Sequence, residues 1–81
     1  MKVISRKQAV KTIEDNKGKF FTATFKKKDG SLRTINCVRK NKATTKLGYL
    51  NVYSIQDKDY RNIDPRTLVR LNIEKKKLKI K

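Results

Sequence analysis

The sequence predicts one small, mainly β domain over residues 1–81, with a single N-terminal helix at 5–16 and a five- to six-stranded barrel over 19–81. Three observations carry that expectation. A helix with both a start and a stop signal opens the chain. From Lys19 the apolar period falls from helical spacing to two. The strands that follow are short and separated by turns, with no internal repeat and no Pro- or Ser-rich linker, as in a small closed barrel.

Ser5 is placed to cap the helix, and Gln8 is the return half of a capping box. Ile4 and Ala9 stand where a hydrophobic staple would put them. Ala9, Val10 and Ile13 form a narrow apolar stripe, and Gly18 is the natural stop. So few apolar positions cannot hold a short helix alone, so it must lie on the β structure, closing one mouth of it. In "FFTATFKKKDGSLRTINCVRK" (20–40), Phe21, Ala23 and Phe25 share one face. Asp29-Gly30 supplies a hairpin turn, and Ile35 and Cys37 point inward on the return. "YLNVYSI" (49–55) sets Leu50 and Val52 against Tyr49, Tyr53 and Ile55. A short strand at 60–63 leads to Asp64-Pro65-Arg66-Thr67, which reads as one helical turn capped by Asp and opened by Pro. "LVRLNI" (68–73) alternates Leu68, Arg70 and Asn72 against Val69, Leu71 and Ile73. "EKKK" reverses the chain, and Leu78 and Ile80 share a face in the last strand.

Charge is the strongest compositional signal: 23 Lys plus Arg oppose 7 Asp plus Glu, a net +16. An A-rich coding bias would inflate Glu as well as Lys, yet only Glu14 and Glu74 occur. Such a surplus resists compaction and favours encounter with polyanions. A basic domain of this kind is the electrostatic footprint of a nucleic-acid binder. With 36% apolar residues and no Trp, no large ligand pocket is expected, and no small-molecule substrate.

The chain lacks His, so the usual general base near neutral pH is missing. One Cys without His excludes the common zinc spacings and a Cys–His nucleophile. The three glycines are too scattered for a phosphate loop. Asp57 and Asp59, in "QDKD", read as a polar turn rather than a metal or acid pair. No enzyme activity, cofactor or metal is therefore expected. Cys37, in a strand, reads as a buried thiol, and its solitude excludes an internal disulfide. With no segment approaching a membrane span or a signal peptide, the expected location is the cytoplasm, with no membrane partner.

The run "FFTATFKKKDGSLRTINCVRK" followed by "GYLNVYSIQDKDYRNIDPRTLVRL" resembles the small Sm-like, SH3-type barrel proteins of bacteriophages, sometimes called WYL-like. The resemblance rests on the strand and Lys-Asp-Gly hairpin from Phe25 to Gly30, on Arg33, on Cys37 with Arg39, and on "YRNI" at 60–63. It spans about residues 19–73 and leaves out the helix and the lysine-rich end. It implies a bent five-stranded barrel and a phage origin, hence the host-cell cytoplasm. Barrels of this kind often bind nucleic acid.

The residues expected to bind DNA or RNA are Lys26, Lys27, Lys28 and Arg33 around the first turn, then Arg39, Lys40, Lys42 and Lys46 near the far end of that hairpin. Arg61 and Arg66 follow in the second half. Arg weighs more than Lys here, because its planar fork can hold a phosphate or a guanine edge bidentately. Tyr49, Tyr53 and Tyr60 either stack on unpaired bases or pack beneath the helix; the pattern leaves both open. An alternative role is a protein–protein effector that docks on an acidic patch of a host enzyme or of a replication or transcription complex.

Overall fold

The structure, a computed structural model, describes residues 2–40 and 49–81. The chain enters through β1 (Lys2–Ile4) and turns into α1 (Arg6–Asp15). The capping box forms: Ser5 Oγ accepts from the Gln8 N–H at 3.1 Å, and Gln8 Oε1 accepts from the Ser5 N–H at 3.0 Å. Ile4 and Ala9, the staple pair, are both buried. Asn16 closes the helix, and Gly18, at φ +83°, donates its N–H to the Arg39 carbonyl at 2.9 Å. That conformation is open to Gly and strained for most other residues.

β2 (Phe20–Lys26) and β3 (Leu32–Val38) form the expected hairpin, paired from Phe20 opposite Val38 to Lys26 opposite Leu32. Gly30, at φ +90°, donates to the Lys27 carbonyl, and Asp29 Oδ1 accepts from both the N–H and the hydroxyl of Ser31. Phe21, Ala23, Phe25, Ile35 and Cys37 all point into the core. Burial pushes the Cys37 thiol up to about 12, which keeps it protonated and inert.

β4 (Leu50–Ser54) and β5 (Asp59–Ile63) pair antiparallel, and Asp64 caps a single 3₁₀ turn at Pro65–Thr67, against which α1 packs. β6 (Leu68–Ile73) returns beside β2, β7 (Lys76–Ile80) folds back on β6, and β1 adds to β7 in parallel. The turn between β6 and β7 is made by Glu74 and Lys75, at φ +50° and +62°.

The protein is thus mainly β with one helix, and two details differ from the sequence pattern. The sheet has seven strands in the order β1-β7-β6-β2-β3-β4-β5, so β1 and β5 are its ends and the ladder is not closed. β1 escapes notice because three residues are too few to show a period. The sheet still wraps one core, since Ile4 of β1 and Ile63 of β5 belong to the same buried cluster. Seven flat strands would set those ends about 29 Å apart, so the sheet must coil strongly. α1 completes the burial by adding Ala9 and Ile13.

The second difference lies in β6. Strict alternation would send Leu68 outward with Arg70, but Leu68 is buried with Leu71 and Ile73. A bulge is the cause: Thr24 faces Arg70 and the next residue, Phe25, faces Leu68, leaving Val69 as the extra residue. Periodicity within one strand cannot reveal a bulge, which belongs to a pair.

Arg39 ties these parts together. Only 6% exposed, it donates from Nε to Glu14 Oε1 at 2.6 Å and from NH1 to the Asn51 carbonyl at 2.9 Å. Helix, hairpin and β4 meet on one guanidinium. Among the described residues no helix is long and apolar enough to cross a membrane. Replacing Glu14 with Gln removes the charge that balances Arg39 and is expected to cost about 1–3 kcal/mol, read as a lower urea midpoint with an unchanged slope.

Candidate nucleic-acid interface

Lys26, Lys27 and Lys28 stand at the end of β2 and in the turn, all exposed. Two shallow concavities, of about 370 and 340 Å³, flank this tip, and all three lysines line both. Arg66 and Lys81 border the first; Tyr49 and Arg61 border the second. The coiled sheet therefore gathers cations from the hairpin, the 3₁₀ turn, β5 and the C-terminal residue, far apart in sequence, around one end of the molecule.

The arginines are less available than the sequence suggests. Asp57 accepts from Arg33 NH2 at 2.8 Å and from Arg61 Nε at 3.1 Å, bridging two of the expected contacts. Hydrogen bonding from Ser54, then from Arg33, and the charges of Arg33 and Arg61 hold the Asp57 carboxyl below the usual range. Asp57 thus pins two arginines, while Asp59 accepts from its neighbour's N–H at 2.7 Å. Arg66 forks onto Asp64, whose carboxyl is held down chiefly by that hydrogen bonding, although the Arg66 side chain stays 74% exposed. Arg39 is the clear correction. Its guanidinium is inside the fold, spent on Glu14 and two carbonyls, and cannot reach a phosphate.

The tyrosines divide. Tyr49 lies beside Arg66 at the hairpin end. Tyr53 and Tyr60 face each other across β4 and β5, ring centroids 5.4 Å apart and edge to face. They occupy the face opposite buried Leu50, Val52 and Ser54, so they do not pack beneath the helix. Lys40 places Nζ 4.9 Å from the Tyr53 ring centre, a cation–π contact. Lys42 and Lys46 lie outside the described residues.

Cations also sit on the helix, where Arg6, Lys7 and Lys11 are exposed, but Glu14 and Asp15 interrupt them. On the outer face of the sheet the order differs. Lys26, Arg70, Lys77 and Lys79 are exposed there, and none is held in an ion pair among the described residues. Sequence reasoning left Arg70, Lys77 and Lys79 out of the candidate set. Their alternation with Leu71, Leu78 and Ile80 was visible, but not that β6 and β7 would lie beside β2.

No protein-family model, curated protein or solved structure matches this chain. Asp57→Asn would release Arg33 and Arg61 and remove one negative charge. Polyanion affinity should then rise about fivefold at low salt, measured by fluorescence anisotropy, and an unchanged affinity would place that pair outside the interface.

Proposed function

We propose that this protein is a small, non-enzymatic accessory protein that binds nucleic acid through exposed lysines. The observation that carries the proposal is the gathering of Lys26, Lys27 and Lys28 with Arg66 and Lys81 around a concavity whose lining, among the described residues, holds no acidic residue. Each phosphate neutralised there would release condensed counterions, so binding would be driven by an entropy gain that salt abolishes. The lysines suit this task because their ammonium groups act as point charges on flexible stems. Arg61 and Arg66, already forked onto carboxylates, would add positive potential and positional order rather than primary grip.

The same proposal treats the coiled sheet as an opened relative of the Sm-like, SH3-type barrels of phages, acting in the host cytoplasm. Its support is the single core shared by all seven strands and the helix. An effector docking on an acidic protein would use the same charge, but would give a partner that survives nuclease treatment.

For the intact protein, the logarithm of the affinity should fall linearly with the logarithm of salt, by about 0.7–0.9 per phosphate contacted. Replacing Lys26, Lys27 and Lys28 with Ser should flatten that slope by about 2–3 while the circular dichroism spectrum stays unchanged. An affinity indifferent to salt, or to the triple replacement, would contradict the proposal.

A further inference from the structure

The outer face of the sheet, the side away from the helix, carries a second pattern. Residues paired across neighbouring strands share a face, so the registers sort its side chains into rows. One row runs Phe20, Val38, Tyr53 and Tyr60 across β2, β3, β4 and β5. Phe20 is 70% exposed and Tyr60 40% exposed, while Val38 is buried between its neighbours. Four strands about 4.8 Å apart spread this row over about 14 Å. The next row is polar: Lys77, Asn72, Thr22 and Asn36. Beyond it run Lys79, Arg70, Thr24 and Thr34, and Lys26 ends the face at the hairpin tip.

Three properties of this face point in one direction. It is rigid, since Thr22 donates to Asn36 at 2.8 Å and the Thr24 and Thr34 hydroxyls meet at 2.9 Å. It is concave: a hollow of about 320 Å³ over Thr22, Thr24, Arg70 and Lys77 adjoins one of about 510 Å³ beside Phe20 and Ile55, with Thr22 and Asn72 common to both. Its outward strand positions carry Lys26, Arg70, Lys77 and Lys79 and no acid; Glu74 enters only at the β6–β7 turn, beside Phe20. That turn holds two non-glycine residues at positive φ, a costly conformation, and it sets Lys75 at the edge of the same hollow.

We infer that this outer face is a platform for single-stranded nucleic acid, with unpaired bases stacking on Phe20 and the Tyr53–Tyr60 pair while phosphates lie on Lys77, Arg70, Lys79 and Lys26. This rests on the nucleic-acid reading above and names the form of its ligand. Duplex bases are already stacked on one another and present no free faces to exposed rings such as Phe20 and Tyr60, whereas every unpaired base has one. The path along β2 from Phe20 to Lys26 is about 20 Å long, room for a strand of about four nucleotides, at the lower end of single-strand site sizes. DNA and RNA share the chemistry used.

The test is fluorescence anisotropy with labelled dT12, U12 and a 12-base-pair duplex on the full chain, with tyrosine emission followed alongside; no Trp masks it. The single strands should bind more tightly than the duplex and quench the emission. Phe20→Ala should weaken single-strand binding about tenfold with the salt slope unchanged and duplex binding unaffected. Tyr60→Phe, which keeps the ring, should bind as the unaltered chain does, and Tyr60→Ala should not. Phe20 is largely exposed, so its replacement remains informative if Tyr60→Ala fails to fold. Preference for dT12 or for U12 identifies the source and supports the platform either way. Ring variants that bind single strands within twofold of the unaltered chain, while the Lys26–Lys28 replacement weakens them, would overturn the platform and leave the lysine interface standing. Tighter binding to the duplex would also overturn it. Failure of the unaltered chain to bind any of the three would overturn both.

Discussion

Scarcity of negative charge governs this structure. Seven acidic side chains serve 23 cations, and the fold spends them at junctions. Glu14 fixes the buried Arg39 where helix, hairpin and β4 meet. Asp57 bridges Arg33 and Arg61 across two hairpins, and Asp64 caps the 3₁₀ turn while holding Arg66. Asp29 shapes the first turn through Ser31. Four of the six arginines are thereby drawn into internal pairs, and most lysines are left facing water.

That allocation reverses the weighting the sequence invites. A guanidinium is the better phosphate fork in isolation, but it is also the better partner for a scarce carboxylate, and in a chain this small the fold claims it first. Arg39 is the extreme case, since its burial would be prohibitive without Glu14. The cationic surplus left exposed is lysine-rich: it stands at the hairpin tip, where Asp29 is turned onto Ser31, and on the outer face of the sheet, whose described strand positions carry no acid.

Local features were legible in the sequence because their causes are local. Ser5 with Gln8, Asp29 with Gly30, and Asp64 with Pro65 each act within three residues, and each forms as its pattern implies. The inward sets of β2, β3 and β4 were legible too, since alternation along one strand is enough to define them. What stayed hidden depends on pairing across distance. Arg39 meets Glu14 25 positions away, and Arg33 meets Asp57 24 positions away. The bulge that turns Leu68 inward, and the adjacency of β6 to β2 that sets Arg70 beside Thr24, belong to ladders rather than to strands. The row of Phe20, Tyr53 and Tyr60 was invisible for the same reason: its members come from three strands and share a face only through register.

The fold thus has two sides with different work. The inner side, with α1, buries the core and consumes the acids. The outer side and the hairpin tip expose rings, amides and unpaired ammonium groups. The central claim is that the second side alone receives the nucleic acid. Amide chemical-shift mapping during titration with a short single-stranded oligonucleotide tests it most directly. Shifts concentrated in β2, the turn at 27–31, β6 and β7 and around Tyr53 and Tyr60, with α1 unmoved, are the expected result. Shifts spread over α1, or none at saturating oligonucleotide, would contradict the account.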